Sequence, residues 1–303
     1  MNEETDKTGL LDEDFLRRLE QLDLVVRKAA SGKLRGERRA RKRGVGVDFS
    51  DYRRYVHGDD PRFIDWNIYG RLETLFLKLF VEEEDLDLHL LLDSSGSMAF
   101  GEPPKFGFAV RLAAALASIG LTGQSRVSIH LFSSARPPSL GPLRGRRNRM
   151  RLFEFLSGLT PEGGTDLAAS ARRWALAEPR KGIAVLLGDF LDPGDGETLG
   201  LEAALPFFGG RFLDVHAVQV LSPDEMRPPF KGELKLIDGE EDRFTDVSMG
   251  EPILKRYRDN LEGFLARVRD RCVGRGIPYL LATSDSSFER VVLDALRRGG
   301  VLR

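Results

Sequence analysis

The sequence predicts an α/β fold, a doubly wound and mostly parallel sheet covered by helices on both faces. Three observations lead there. Short apolar runs alternate with helical periodicity from residue 84 onward, as successive βαβ units require. The runs LDLHLLLD (86–93) and GIAVLLGD (182–189) are continuously apolar, which suits strands buried on both faces. No segment repeats at a fixed period, which excludes a solenoid.

The elements follow in order. Phe15, Leu19, Leu22 and Val26 step by four, three and four, so one apolar stripe predicts a helix over 13–29. Residues 27–44, RKAASGKLRGERRARKRG, carry nine basic residues against one Glu, with three glycines. Charge repulsion and glycine make this a solvated linker, with docking to an acidic partner or a nucleic acid as the alternative. The first strand of the sheet is LDLHLLLD. KFGFAVRLAAALASIGL (105–121) is helical and apolar nearly all round, and RVSIHLF (126–132) is a strand. MRLFEFLSGL (150–159) and DLAASARRWALAE (166–178) read as helices on either side of a Gly-Gly-Thr turn. GIAVLLGD, FLDVHAVQVL (212–221) and IPYLLATSD (277–285) are the remaining strands. Helices are expected at 253–272 and 287–298. Residues 222–250 break the alternation, and Asp238-Gly239 between short β-like runs marks a hairpin insertion. The domain plan is therefore an N-terminal helix and basic segment (1–44), a charged segment (45–83) and the α/β domain (84–303).

The 46 Lys and Arg nearly cancel the 47 Asp and Glu, which disfavours a wholesale nucleic-acid binder. A single cysteine, Cys272, allows no intrachain disulfide. The acidic N-terminus lacks the features of a signal peptide, and no apolar run is expected to span a bilayer. A cytoplasmic location is expected.

The ends of the strands carry the chemistry. Ligands of a doubly wound sheet bind outside the carboxyl ends of its strands, at the switch in strand order. Asp93 ends the first strand, and Ser95 and Ser97 alternate after it. PEGGTDL supplies Thr165 and VLLGDFLD supplies Asp189, each at the edge of an element. Alone, each has an ordinary explanation as a turn residue or helix cap. Together, Asp93, Ser95, Ser97, Thr165 and Asp189 form a hard-oxygen set suited to Mg²⁺ or Mn²⁺. Ser95, Ser97 and Thr165 are expected to bind directly and the two aspartates partly through water, with one coordination position open. Arg144, Arg146, Arg147 and Arg149, in the loop before the 150–159 helix, are expected to rim this face and steer an acidic partner.

The set resembles the metal-ion-dependent adhesion site of von Willebrand factor A-type domains, Asp-x-Ser-x-Ser followed by a Thr and then an Asp. Here it reads Asp93-Ser94-Ser95-Gly96-Ser97, Thr165 and Asp189. The usual Gly after the last Asp is Phe190, which costs backbone freedom but removes no ligand.

A second pattern narrows the resemblance. RRYVHGDDPRFIDWNIYGR (53–71) sets Arg53, Arg54, Arg62 and Arg71 among Asp59, Asp60 and Asp65. It is expected to be a salt-bridge network packing on the sheet with Trp66 buried; a recognition surface is the alternative. Followed by the A-type domain, it resembles the bacterial domain of unknown function 58 family. That pattern matches at Arg53, Tyr55, Gly58, Asp59, Asp60, Arg62, Ile64, Asp65 and Trp66, with Gly70-Arg71 for the usual Ala-Arg. The resemblance implies a von Willebrand factor A-like fold and association with MoxR-type AAA+ ATPases.

The leading functional reading is a metal-dependent protein-interaction module that accepts a partner's Asp or Glu. No nucleophile elbow surrounds Ser95 or Ser97 and no Walker A loop is present, so an ATPase would be a separate chain. A metal-dependent hydrolase would need a base or a second metal, and His57, His89, His130 and His216 are scattered. Nucleic-acid binding through the 27–44 segment and RGRRNRMR (144–151) lacks aromatic interleaving.

Overall fold

A computed structural model describes residues 9–22, 48–81, 87–133, 138–177, 180–192, 194, 198–208, 213–229, 232–237 and 244–295. It divides into two compact units, residues 30–85 and the remainder of the chain.

The larger unit opens with α1 (Glu13–Leu19), capped by the Asp12 carboxylate on the Phe15 N–H at 2.7 Å. Helix α1 ends at Leu19, short of the expected 29, and residues 23–47, with the basic run, lie outside the described residues. Its buried Phe15, Leu16 and Leu19 join the core of the α/β unit, so this helix belongs to that unit and not to a separate extension.

The smaller unit holds β1 (Asp48–Arg54), α2 (Trp66–Leu72) and β2 (Phe76–Val81). β1 and β2 pair antiparallel. Its charges pair locally. Arg53 meets Asp59 at 2.8 Å, and Arg62 grips Asp60 with two nitrogens at 3.1 and 2.8 Å. Asp65 is buried and multiply bonded. It caps α2 through Asn67 and Ile68, accepts the Tyr52 hydroxyl at 3.1 Å and meets Lys78 at 3.1 Å. Trp66 departs from expectation, since it is 62% exposed. The inward positions are taken by Ile64, Asp65 and Leu77. That leaves Trp66, the first helical residue, facing outward in an edge-on pair with Tyr69.

The α/β unit runs β3 (Asp87–Asp93), α3 (Lys105–Thr122), β4 (Arg126–Phe132), β5 (Ser139–Arg144), α4 (Arg149–Ser157), α5 (Leu167–Leu176) and β6 (Gly182–Gly188). It continues through α6 (Gly200–Ala204), β7 (Leu213–Leu221), α7 (Pro223–Met226), β8 (Gly232–Ile237), β9 (Phe244–Met249), α8 (Glu251–Val273), β10 (Tyr279–Thr283) and α9 (Phe288–Arg290). The sheet order is β10-β7-β6-β3-β4-β5, with five parallel strands and β5 antiparallel at one edge. This is the doubly wound architecture that the sequence predicts. The expected insertion is the antiparallel β8–β9 pair.

Each face of the sheet carries its own core. Leu88, Leu90 and Leu92 of β3 point to one face, with α1, α3 and α4. Leu91, Ala184 and Leu186 point to the other, with α5 and α6. Burying one such leucine stabilises the fold by roughly 1.5–3 kcal/mol. Helix α3 is 18 residues long and apolar enough to match a bilayer-spanning helix, contrary to the sequence expectation. In this fold 83% of it is buried, because it is the central core helix of its face.

Candidate metal centre

The chain leaves β3 for β4 on one side and returns to β6 on the other. The switch in strand order therefore falls between β3 and β6, at their carboxyl ends. Asp93 is the last residue of β3 and Asp189 directly follows β6, so they flank the switch crevice.

Four oxygen-bearing side chains form a continuous row across that crevice. Ser95 donates its hydroxyl to Asp93 Oδ1 at 2.7 Å, and the Ser95 N–H reaches the same oxygen at 3.0 Å. Ser95 Oγ and Ser97 Oγ are 3.0 Å apart. Ser97 donates to Asp189 Oδ2 at 2.9 Å. A serine hydroxyl has one proton and two lone pairs. With both carboxylates ionised, both protons are used on them, and the two Oγ lone pairs face each other with no proton between. Asp93 Oδ2 is also buried without any hydrogen-bond partner.

The loop carrying Thr165 docks beside this row. The Gly96 N–H donates to the Gly163 carbonyl and the Glu162 N–H to the Ser94 carbonyl, both at 2.8 Å. Asp192, in the loop after β6, accepts the Leu167 N–H at 2.9 Å and so ties the start of α5 to the Asp189 loop. Thr165 itself is half-buried. Two loops thus bring Asp93, Ser95, Ser97 and Asp189 together, with Thr165 on a third that docks beside them.

Backbone details support the row. A Cβ on Gly188 would lie 2.6 Å from Asp93 Cβ and 3.0 Å from its Oδ2, so only glycine lets β6 pass this close. Phe190, where the resemblance expects Gly, adopts φ 57°. That left-handed conformation costs a non-glycine residue roughly 1–2 kcal/mol. Its ring is 1% exposed and packs in the second core, which offsets the cost.

Two further residues join the site that the sequence reading missed. Lys105, the first residue of α3, is wholly buried, with Nζ 2.6 Å from Asp189 Oδ2 and 2.6 Å from Glu225 Oε1. Glu225 belongs to α7, just beyond β7. Its Oε2 accepts the Ser222 N–H at 2.7 Å while the Ser222 hydroxyl accepts the Glu225 N–H, a reciprocal cap. Gly101 makes this meeting feasible: with φ 97°, it packs where a Cβ would lie 2.2 Å from Ser222 Cβ. Gln219 donates to the Asp189 carbonyl at 2.6 Å and accepts the Tyr279 hydroxyl at 2.6 Å, which fixes the loop from behind.

Electrostatics follow from this packing. Burial, reinforced by Asp189, pushes the Asp93 carboxyl up to about 7, against the pull of its bonds from Ser95 and of Lys105. Burial opposes the charge on Lys105, but Asp189 and Glu225 outweigh it and hold its ammonium above the ordinary lysine value. No group of three or more His, Cys, Asp or Glu suited to a metal occurs among the described residues. The fit therefore rests on hydroxyls as well as carboxylates. An excess of lone pairs and a buried, partnerless carboxylate oxygen suit a hard cation.

The four arginines are elsewhere. Arg144 pairs in register with Arg126, which pairs with Asp87 at the amino end of β3. That end lies six residues, about 20 Å, from Asp93. Arg146 and Arg149 both meet Glu20, at 3.2 and 3.3 Å. The expected arginine rim on the metal face is thus corrected. The unforeseen strand β5 runs antiparallel and carries the chain back to the opposite end of the sheet before these residues.

Fold and crevice together define a doubly wound α/β domain with an oxygen-rich site at its switch point. More particularly, the chain belongs to the family described as protein of unknown function DUF58, whose model matches residues 51–263. It is 26% identical over 291 residues to the uncharacterized proteins Mb1516 of Mycobacterium bovis and Rv1480 of Mycobacterium tuberculosis, covering 94% of this chain and 90% of each relative. Similar solved structures include BatB from Bacteroides thetaiotaomicron (14% identity, TM-score 0.41, covering 71% of this chain and 98% of that one). Another is a von Willebrand factor type A protein from Catenulispora acidiphila (17% identity, TM-score 0.33, covering 48% and 35%). At these scores the structural likenesses add nothing to the family assignment, which rests on the family match.

Proposed function

We propose that this chain is a metal-dependent protein-interaction module. Asp93, Ser95, Ser97, Thr165 and Asp189 would hold Mg²⁺ or Mn²⁺, and the cation would supply an open position for an Asp or Glu side chain of a partner. The observation that carries this reading is the row Asp93–Ser95–Ser97–Asp189, four oxygen-bearing side chains linked at 2.7, 3.0 and 2.9 Å across the switch crevice. A crevice with surplus lone pairs attracts a cation, and neutral Ser and Thr donors quench less of its charge than carboxylates would. An external anionic oxygen then completes the shell. Nothing in the row needs a nucleophile or a base, so binding suits it better than catalysis.

The partner class we propose is a MoxR-type AAA+ ATPase or its client, in protein remodelling or complex maturation. A cytoplasmic setting is part of the same proposal. It is supported by a lone cysteine, Cys272, which is fully buried and whose thiol burial pushes up to about 11.

The test is capture of a purified MoxR-type ATPase by the immobilised full chain in millimolar Mg²⁺ and again in EDTA. Binding is expected in Mg²⁺ only, to be lost in Asp93→Ala and to weaken in Thr165→Ala with the fold intact. Equal capture in EDTA and by Asp93→Ala would sink the metal-bridge reading and leave any cation as a staple for the loops.

A further inference from the structure

The buried ammonium of Lys105 stands on the same carboxylate oxygen, Asp189 Oδ2, that receives the Ser97 hydroxyl. That oxygen belongs to the row facing the cation position. Lysine has three N–H donors and no acceptor. Here two of them go to Asp189 and Glu225, each at 2.6 Å, and the side chain is 0% exposed. A lysine at the first turn of a helix also faces the positive end of the helix dipole, which disfavours it. Such a placement persists only because two carboxylates, one from the loop after β6 and one from α7, surround the charge.

We infer that Lys105 is an affinity-setting residue for the metal site, a tethered monovalent cation that competes with a divalent ion for Asp189 and is held ready by Glu225. This rests on the metal-binding reading above. Asp189 and Glu225 together outnumber the single ammonium they hold, and Asp93 stands at the far end of the serine row from Asp189. When a divalent ion draws on Asp189 Oδ2, Lys105 keeps its second partner, Glu225, and moves its weight there. Glu225 is thus the tether that lets Asp189 be shared. Removing the ammonium removes both a competitor for that oxygen and a positive charge next to the incoming ion. Charges about 4 Å apart in a protein interior interact strongly enough that removing one is expected to change the binding constant at least tenfold, which is about 1.4 kcal/mol. Glu225 acts in the opposite sense. Without it, Lys105 falls wholly on Asp189 and the site loses one negative charge.

The pair of substitutions therefore has opposite signs, which a merely structural role would not give. Damage to the scaffold would weaken metal binding in both variants. The experiment is isothermal titration of the full chain with MnCl₂ at pH 7.5, for the parent, Lys105→Met and Glu225→Gln. The inference expects Mn²⁺ to bind Lys105→Met at least tenfold more tightly than the parent, and Glu225→Gln at least threefold more weakly. If Lys105→Met does not fold, Lys105→Gln and the Glu225→Gln arm carry the same comparison. Parent binding with equal or weaker binding by the Lys105 variants overturns the inference and leaves the metal site standing. Binding by the Lys105 variants alone supports it, the ammonium then excluding the ion outright. Absence of Mn²⁺ binding in every protein overturns the metal reading itself and this inference with it.

Discussion

Replacing Asp93 by Asn should stabilise the metal-free protein at alkaline pH and destabilise it relative to the parent once metal is present. Asp93 is 2% exposed, Oδ2 has no partner, and Asp189 repels it across the serine row. Burial and this repulsion raise its pKa from 3.8 to about 7. A carboxyl whose folded-state pKa is raised favours folding fully below its unfolded value of 3.8. That contribution is lost as pH rises through about 7. Each pKa unit is worth about 1.4 kcal/mol, so ionising Asp93 in the folded, metal-free protein costs about 4 kcal/mol at most. Water drawn in around the ionised group returns part of this. The Asn amide leaves a buried N–H against Gly188, which costs about 1–3 kcal/mol.

The net expectation is a gain of about 1–2 kcal/mol for Asp93→Asn at pH 8.5 in EDTA, and no gain at pH 5.5, where the parent carboxyl is protonated. Urea unfolding at both pH values measures it. Repeating the pH 8.5 series in saturating Mg²⁺ should reverse the order, because a ligand at 100 times its Kd adds about 2.7 kcal/mol to the parent only. If Asp93→Asn is the less stable protein at pH 8.5 in EDTA, the buried carboxylate is not a liability without a cation, and the electrostatic basis of the site is wrong.

Other outcomes follow from neighbouring features. His130 packs against His89 and Trp174, and burial, then His89, lowers its pKa from 6.5 to about 4. A depressed histidine supports folding above 6.5 and loses that support as pH falls toward 4. The parent should therefore lose about 3 kcal/mol over that window by urea unfolding, and His130→Leu should lose much less. Trp66→Ala should cost under about 1 kcal/mol in thermal unfolding, since Trp66 is 62% exposed and, among the described residues, its ring pairs edge-on with Tyr69, whereas a core Trp→Ala costs about 3–5. A large loss would mean that Trp66 is buried in solution. Gly188→Ala places a methyl against Asp93 and should destabilise by about 1–3 kcal/mol while shrinking the Mg²⁺-dependent rise in Tm.

Much of this site was legible because its residues punctuate elements. An apolar run that ends in Asp93, or in Gly188-Asp189, marks a strand end, and strand ends in a doubly wound sheet converge. Lys105 was not legible in the same way. A lysine opening an apolar helix looks solvated, and its partners lie 84 and 120 residues further along the chain. Ser222-Pro-Asp-Glu225 carries the spacing of a reciprocal helix cap, yet the cap uses only Oε2 and says nothing of what Oε1 meets. Strand β5 was missed because Gly141 and Pro142 interrupt its pattern. At an edge, a proline removes no needed ladder bond. Gly141, at φ 125°, lies where a Cβ would come within 2.8 Å of Ser128 Cα and the Val127 carbonyl, beside the break in register. One unrecognised edge strand was enough to put the arginine run at the wrong end of the sheet. Trp66 erred for a different reason: in a short helix at the surface, the buried position went to the capping Asp65, whose bonds to Tyr52, Lys78 and two backbone N–H groups need shelter more than an indole does.

The position of α3 connects the core to the chemistry. Its apolar body is anchored under β3, so its first residue has little freedom, and the helix delivers Lys105 to one place beside Asp189. The same rigidity holds the Ser95–Ser97 turn that precedes it, since the Lys105 N–H donates back to the Phe100 carbonyl at 3.3 Å. A buried ion pair seldom adds net stability, because desolvating both partners offsets their attraction. Retaining Lys105, Asp189 and Glu225 in the interior is therefore poorly explained by stability alone. The cation site proposed above would account for it, since Asp189 could then be shared with an ion while Glu225 keeps the ammonium. An apolar triad of the same volume would fold as well, but it would leave nothing for a cation to displace.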